Sequence, residues 1–288
     1  MRFRPLQSVK SVALLAALAV VPAASAMPLG LRMATQSVAK ATPVKDPLLM
    51  TEAEAYKYYA PDFAMQIDTS IAKIDEIWFS ICNRGSGDEN ATVDWGDGTI
   101  ESFSDVSYYG NRIGHAYPNR GSYVIRISNG KYAISISNDS YKRAVRRVLR
   151  WCDAGMVPSY SLGDSLVSLA DGRLARWPEA ATDLSGVYYA CENLDAIELP
   201  AWPKNLANAK ETYTACCKLS CNIPPWPVTL TNANSTFFYC NSLKGAWTDD
   251  PALLMPSGVI DYAECVLGAS DDIRRLFYQS WGGTIADP

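Results

Sequence analysis

The chain has 288 residues, a formal net charge of −4 at pH 7 and a single histidine, His115. This mild acidity, without a basic tail or stripe, gives no electrostatic signature of a nucleic-acid-binding protein. A catalytic triad, a Cys-His dyad or a multi-histidine metal site would have to use His115. We therefore expect neither an enzyme nor a cofactor.

The first 26 residues have the pattern of a secretory signal peptide. Three basic residues precede or border an apolar run from Val12 to Val21, and Ala24-Ser25-Ala26 is a small-residue cleavage site. The apolar run is short for a membrane-spanning helix, which needs about 20 residues. We expect cleavage after Ala26 and a secreted, periplasmic or cell-surface protein with no membrane span.

The next part of the chain changes from a linker to strands. Residues 27–62 mix Pro, Ala, Lys and Thr without a stable period, which predicts a linker with a short helix around Glu52 to Tyr59. From residue 63 to 140, short alternating runs rich in Ile, Val and aromatic residues predict an antiparallel β-sandwich. Asn129-Gly130 lies between two such runs and predicts a β-hairpin.

Four arginines follow the predicted sandwich, interleaved with Val145, Val148 and Leu149. This pattern predicts a half-buried strand or helix with a basic outer face. The four are Arg143, Arg146, Arg147 and Arg150.

A tight-turn motif, Trp95-Gly96-Asp97-Gly98, lies inside the predicted sandwich. The glycines permit positive φ, and Asp97 can accept hydrogen bonds from neighbouring amides. His115-Ala116-Tyr117 and Gly121-Ser122-Tyr123 follow it. Together these motifs resemble the PKD (polycystic kidney disease-type) module, a β-sandwich of extracellular proteins. The resemblance implies that His115 packs or orders a turn.

A calcium site near the same turn is an open alternative. Asp94 and Asp97 follow the oxygen-rich stretch Asp88-Glu89-Asn90. Calcium requires about six to eight oxygens from a compact loop, and the spacing here follows no ordered ligand pattern. Turn chemistry is the favoured interpretation of the two carboxylates.

An aromatic-x-x-Cys-x-x-Leu motif recurs in the second half, with steps of 25, 24 and 25 residues between the cysteines. In the last copy Gly268 replaces the Leu, and Tyr160-x-x-Gly163-x-x-Leu166 is a degenerate earlier copy. The residues of the motif are Tyr188, Cys191 and Leu194; Tyr213, Cys216 and Leu219; Phe237, Cys240 and Leu243; and Tyr262 and Cys265.

This period predicts a repeat array over residues 141–288. A period of 24 to 25 lies in the range of leucine-rich repeats, about 20–29 residues. Spacing by three places the aromatic, Cys and Leu on one face of a helical turn, so we expect α/β units that stack to bury them. The units resemble the BspA-like leucine-rich repeats of bacterial surface proteins, in which a sandwich with the Trp-Gly-Asp-Gly turn often precedes the array. The resemblance implies a short solenoid with a C-terminal cap.

The cysteines divide into two groups. Those in the repeat register are expected to be small buried hydrophobes without disulfides. Cys82, Cys152, Cys217 and Cys221 fall outside the register, and Cys217 with Cys221 is the candidate bridge on proximity alone. No pair has the two-residue spacing of a zinc ribbon, so we expect no zinc.

One Trp-Pro pair precedes each of three aromatic residues by 11 positions, at Trp177, Trp202 and Trp226. An exposed ladder of these rings would form a stacking platform for a ligand such as a sugar chain. The favoured alternative is that they belong to the core, because a stacked repeat needs one large apolar residue per unit.

These features predict a secreted or surface-displayed recognition or adhesion protein that binds a protein or glycan partner. An accessory module of an extracellular hydrolase system and a purely structural envelope component are the alternatives left open.

Overall fold

The computed structural model describes residues 46–83, 90–104, 106, 111–128, 132–153 and 162–243. The predicted signal peptide, Asp88, Tyr160 and the last predicted copy, with Tyr262, Cys265 and Gly268, lie outside these ranges. None of the helices in the described ranges is long and apolar enough to cross a membrane.

A short helix, α1 (Glu52–Tyr58), forms within the stretch predicted as a linker. Thr51 closes its N-terminus with a capping box, because its hydroxyl accepts from the Glu54 amide and its own amide donates to the Glu54 carboxylate at 2.9 Å. The helix therefore begins where the sequence predicts, and a 3₁₀ turn at Pro47–Leu49 precedes it.

Within the described ranges eight strands form two antiparallel sheets; seven lie in the predicted sandwich of residues 63–140, and the eighth lies in the segment predicted as repeat array. One sheet has five strands in the order β4-β3-β6-β1-β8, and the other has three in the order β5-β2-β7. The strands are β1 (Phe63–Asp68), β2 (Glu76–Asn83), β3 (Ala91–Asp94), β4 (Ile100–Phe103), β5 (Asn111–Ala116), β6 (Ser122–Ser128), β7 (Tyr132–Ser135) and β8 (Val145–Arg150). Two short helices, α2 (Thr69–Ala72) and α3 (Asp139–Ala144), follow β1 and β7.

The two sheets bury a common core. Alternate residues of β2, Ile77, Phe79 and Ile81, are fully buried or nearly so. Phe79 contacts the ring of Trp95, which follows β3 in the other sheet, at a centroid distance of 5.6 Å. Period-two alternation thus places one face of each sheet against the other.

Asn129 and Gly130 lie outside the described ranges, but the strands on either side of them do not form the predicted hairpin. β6 pairs with β1 and β3, whereas β7 pairs with β2 in the other sheet. Ile125 and Ile134 both enter the shared core, one from each sheet. β6 and β7 therefore belong to opposite sheets, because an alternating pattern predicts a strand without predicting the strand it pairs with.

The arginine-rich segment becomes α3 and β8, but its basic side is only partly exposed. Arg150, predicted on an outer face, is 1% exposed. Its guanidinium donates to the carbonyls of Tyr56, Asp62 and Trp151 at 3.0–3.1 Å and pairs with Asp153 at 2.6 Å. A guanidinium has five N–H donors, and these partners make its burial possible.

Successive copies of the repeat lie side by side and are joined by backbone hydrogen bonds. The amide of Tyr188 donates to Thr212, and that of Tyr213 donates to Thr236, both at 2.9 Å. Isolated parallel bridges join Asp183 to Asn208 and Asn208 to Asn232. Residues one period apart therefore occupy equivalent positions in neighbouring copies.

The α/β character predicted for these units is wrong in residues 162–243, which form turns and isolated bridges without a regular helix or strand. The turns are closed by i→i+3 hydrogen bonds, such as Cys191 N to Tyr188 O at 3.2 Å. Two residues per copy adopt positive φ, which a right-handed helix excludes. They are Gly186 and Ala190, Glu211 and Ala215, and Ser235 and Tyr239.

Gly163 explains why the first copy departs from the motif. It has φ +107°, and a Cβ added there would lie 2.4 Å from the carbonyl oxygen of Lys142 in α3. A cysteine in this position would collide with backbone, so the close approach of α3 requires glycine.

Candidate functional site

The aromatic, Cys and Leu positions of three copies lie in the interior. Tyr188, Tyr213 and Phe237 stack along the array, with ring centroids 5.4 and 5.3 Å apart. All of the motif side chains in these copies are at most 4% exposed: Tyr188, Cys191, Leu194, Tyr213, Cys216, Leu219, Phe237, Cys240 and Leu243.

The repeat thiols act as buried donors to the preceding copy. Cys216 Sγ donates to the Tyr188 carbonyl at 3.1 Å, and Cys240 Sγ donates to the Tyr213 carbonyl at 2.9 Å. Burial raises the pKa of Cys191 to about 12 and that of Cys216 well above its ordinary value. The thiols of Cys191 and Cys216 therefore stay neutral, and a neutral thiol is a weak nucleophile.

Cys191, Cys216, Cys217 and Cys240 are free thiols. The candidate bridge between Cys217 and Cys221 is accordingly not formed. Cys152 is buried, and the side chain of Cys82 and the whole of Cys265 lie outside the description.

The Trp-Pro tryptophans do not present a ladder of open ring faces. Trp177, Trp202 and Trp226 are 5%, 8% and 6% exposed. Trp202 stacks on Trp226 with centroids 5.0 Å apart and an interplanar angle of 7°, and Trp177 packs on Trp151. Their faces are used by neighbouring aromatic residues, so the platform interpretation fails and the three rings form part of the core.

Each of these buried tryptophans nevertheless has an unpaired hydrogen-bond donor. The indole Nε1 groups of Trp177, Trp202 and Trp226 are buried and have no hydrogen-bond partner in the described part of the chain. An unpaired buried donor costs about 1–3 kcal/mol. The Trp-Pro side of the array therefore carries donors that its own packing leaves unused.

A groove of about 580 Å³ lies on this side, across the copies that contain Trp177 and Trp202. This volume is typical of small-ligand sites, which span about 300–1,000 Å³. The lining residues are Glu52, Arg173, Leu174, Arg176, Trp177, Glu179, Glu198, Leu199, Pro200, Ala201, Trp202, Pro203 and Lys204.

One ion pair on the groove crosses two copies. Arg173 and Glu198 are joined by a parallel bridge and by a side-chain contact of 2.7 Å. Both side chains are more than half exposed, so the pair contributes little stability and its polar atoms face solvent.

The second ion pair joins a residue of the array to a residue of α1, which precedes the sandwich. Glu52, on α1, accepts two hydrogen bonds from Arg176 at 2.6 and 2.7 Å. Arg176 also lies over the Tyr56 ring at 4.1 Å, and Arg150 lies over the same ring at 4.6 Å. No sequence motif predicts the contact of Glu52 with Arg176, although the Thr51 capping box signals an ordered helix in the linker.

A second polar cluster forms around the tight turn of the sandwich. His115 Nε2 lies 2.7 Å from Asp97 Oδ2, and the imidazole stacks on Trp95 at 5.0 Å. Tyr117 donates to the Trp95 carbonyl at 3.1 Å, and the Thr99 amide donates to Asp97 at 2.9 Å. The expectation that Asp97 accepts a backbone amide is confirmed, and His115 packs on the turn.

The electrostatics of this cluster favour an ionised Asp97. Burial opposes ionisation, but hydrogen bonds from His115 and Thr99 outweigh it and hold the pKa of the carboxyl below its usual range. The Asp94 carboxylate accepts the Gly96 amide at 2.9 Å. Both carboxylates thus have turn partners, and the described residues contain no group of three or more acidic, His or Cys side chains arranged for a metal.

Comparisons with protein-family models, with curated proteins and with solved structures found no match to this chain.

Proposed function

We propose that this chain is an exported recognition protein without catalytic activity, which binds a protein or glycan partner at a cell surface through its repeat array. The observation that carries the proposal is the groove that crosses two neighbouring copies and is bordered by Arg173, Glu198 and Lys204. Repeat arrays bind through surfaces on which equivalent positions lie side by side. This groove is built in that way.

The proposal includes a finer architecture: a PKD-like β-sandwich over residues 63–140, whose five-stranded sheet β8 (Val145–Arg150) extends, and a short leucine-rich-repeat solenoid in the remainder of residues 141–288. The contacts of His115 with Trp95 and Asp97 support the PKD-like sandwich, because they bring together the two motifs that carry the resemblance. Hydrogen bonds between consecutive copies support the solenoid. The sandwich would then serve as a spacer and as a cap on the array.

Capture of a partner tests the recognition role. Protein beginning at Met27 is immobilised and exposed to solubilised surface material from host or neighbouring cells. We expect a captured partner that is lost with Lys204→Glu in the groove. The matched control is Lys218→Glu, because Lys218 contacts Asn193 and does not line the groove.

Other outcomes favour the alternative functions. Capture that Lys204→Glu leaves unchanged would contradict binding through the groove. Turnover of glycan or peptide substrates by the purified protein would favour a hydrolase component, and the absence of any capture would favour a structural component.

A further inference from the structure

The formal charges of the side chains that line the groove sum to zero. Three cations and three anions line it within the described ranges, so a polyanion or a polycation would meet as much repulsion as attraction. They are Arg173, Arg176, Lys204, Glu52, Glu179 and Glu198. The net charge of a ligand therefore does not favour its binding here, and selectivity must come from hydrogen bonds to individual side chains.

The charges are arranged as adjacent donors and acceptors. Arg173 and Glu198 lie 2.7 Å apart with both side chains more than half exposed. Arg176 is held by Glu52, whose side chain is nine-tenths buried, and so presents a fixed guanidinium. A hydroxyl both donates and accepts, so neighbouring hydroxyls of one ligand can pair with a carboxylate and with a guanidinium at once.

The other lining residues of the groove are apolar. Trp177 and Trp202, 5% and 8% exposed, present only the margins of their side chains to it. Leu199 and Pro203 supply further apolar contacts between the charged groups.

We propose that this groove binds an uncharged, polyhydroxylated ligand: a segment of a neutral oligosaccharide. The proposal rests on the recognition function above and names the chemistry of its partner. The sugar hydroxyls pair with the exposed Arg173–Glu198 pair and with Arg176, and the C–H faces of the sugar rings lie on the apolar lining. An extended peptide is the competing occupant, and the experiment separates the two.

The test measures binding of the chain from Met27 to cellohexaose, mannohexaose and chitohexaose by calorimetry, beside a hexauronate and a mixed-charge hexapeptide library. We expect at least one neutral oligosaccharide to bind, with an affinity that changes less than twofold between low and high salt, because no net charge is neutralised. The double variant Arg173→Ala/Glu198→Ala should weaken this binding at least tenfold. The matched double variant Asp75→Ala/Arg120→Ala removes an equally exposed ion pair of the sandwich and should leave binding unchanged.

The proposal is overturned if none of the three neutral oligosaccharides binds, if the groove variant binds them as the unaltered chain does, or if only the hexauronate or the peptides bind. A surface partner captured through Lys204 while the oligosaccharides fail would remove the sugar inference and leave the recognition function standing. Failure of both the capture and the oligosaccharide binding would refute the recognition function as well as the sugar inference.

Discussion

The two halves of the described chain bury apolar side chains in different ways. In the sandwich, strands distant in sequence pair through ladders, as β1 does with β6 and, with two shifts of register, with β8. In the array, each copy pairs only with adjacent copies, through short rows of backbone hydrogen bonds and through files of like side chains, such as Tyr188, Tyr213 and Phe237. The sandwich therefore depends on pairing between distant segments, and the array on the repetition of a few buried positions in adjacent copies.

This difference shows which kind of substitution each half tolerates. A file of equivalent residues fails where one member no longer matches its neighbours, because each copy is stabilised mainly by adjacent copies. A sheet with a shared core fails where a turn or a close approach is blocked. Single substitutions at a buried file position should therefore cost more stability than substitutions at a turn of the sandwich.

Cys216→Asp should be the most damaging change. It places a carboxylate at a fully buried position beside the Tyr188 carbonyl and should lower the free energy of unfolding by more than about 5 kcal/mol. Urea denaturation followed by circular dichroism measures the loss. Cys217→Asp, at a partly exposed neighbouring residue, is the control with a much smaller cost, and equal stability of the two variants would refute the interior register.

Trp202→Ala should lower the free energy of unfolding by about 3–5 kcal/mol. The ring stacks on Trp226 and packs on Tyr213 and Phe237, so its removal leaves a cavity between copies. Thermal denaturation measures this loss. Trp202→Phe is the control: it keeps most of the packing and removes the unpaired indole N–H, so it should cost clearly less. A melting temperature unchanged by Trp202→Ala would mean that the ring is not part of the core.

Gly96→Ala should cost the sandwich about 2–4 kcal/mol. The residue has φ +85°, and an added Cβ would lie 2.5 Å from the Val124 carbonyl oxygen. Gly98→Ala is matched, because Gly98 has φ +97° but no atom within 4 Å of an added Cβ. Its cost should be limited to backbone strain of about 1–2 kcal/mol. Equal losses in chemical denaturation would show that the contact with β6 is unimportant.

Asp97→Asn should have the smallest effect, about 1 kcal/mol at neutral pH. The pKa of the Asp97 carboxyl is lowered by its partners in the folded protein, so ionised Asp97 stabilises the fold above its ordinary pKa. That contribution is lost as the pH falls through the lowered value. Unfolding at pH values from about 7 to about 3 should therefore show the two proteins converging in acid, and a constant difference would exclude this linkage.

Local and periodic features were predictable from the sequence. The capping box at Thr51, the glycine turn around Asp97 and the alternation in β2 each depend on neighbouring residues. The 24–25-residue register also identified Cys191, Cys216 and Cys240 as equivalent interior candidates, because stacking repeats the same environment once per copy.

The amino-acid sequence by itself determined which faces are apolar and where the backbone must turn. Only the tertiary structure decided what those faces pack against: β7 joins the sheet opposite β6, and Arg150 is buried among carbonyl oxygens. The groove was decided in the same way, because Glu52 reaches Arg176 across 124 residues of chain. The physical reason is that periodicity records burial without recording the partner, and a partner distant in sequence is chosen by the packing of the whole fold.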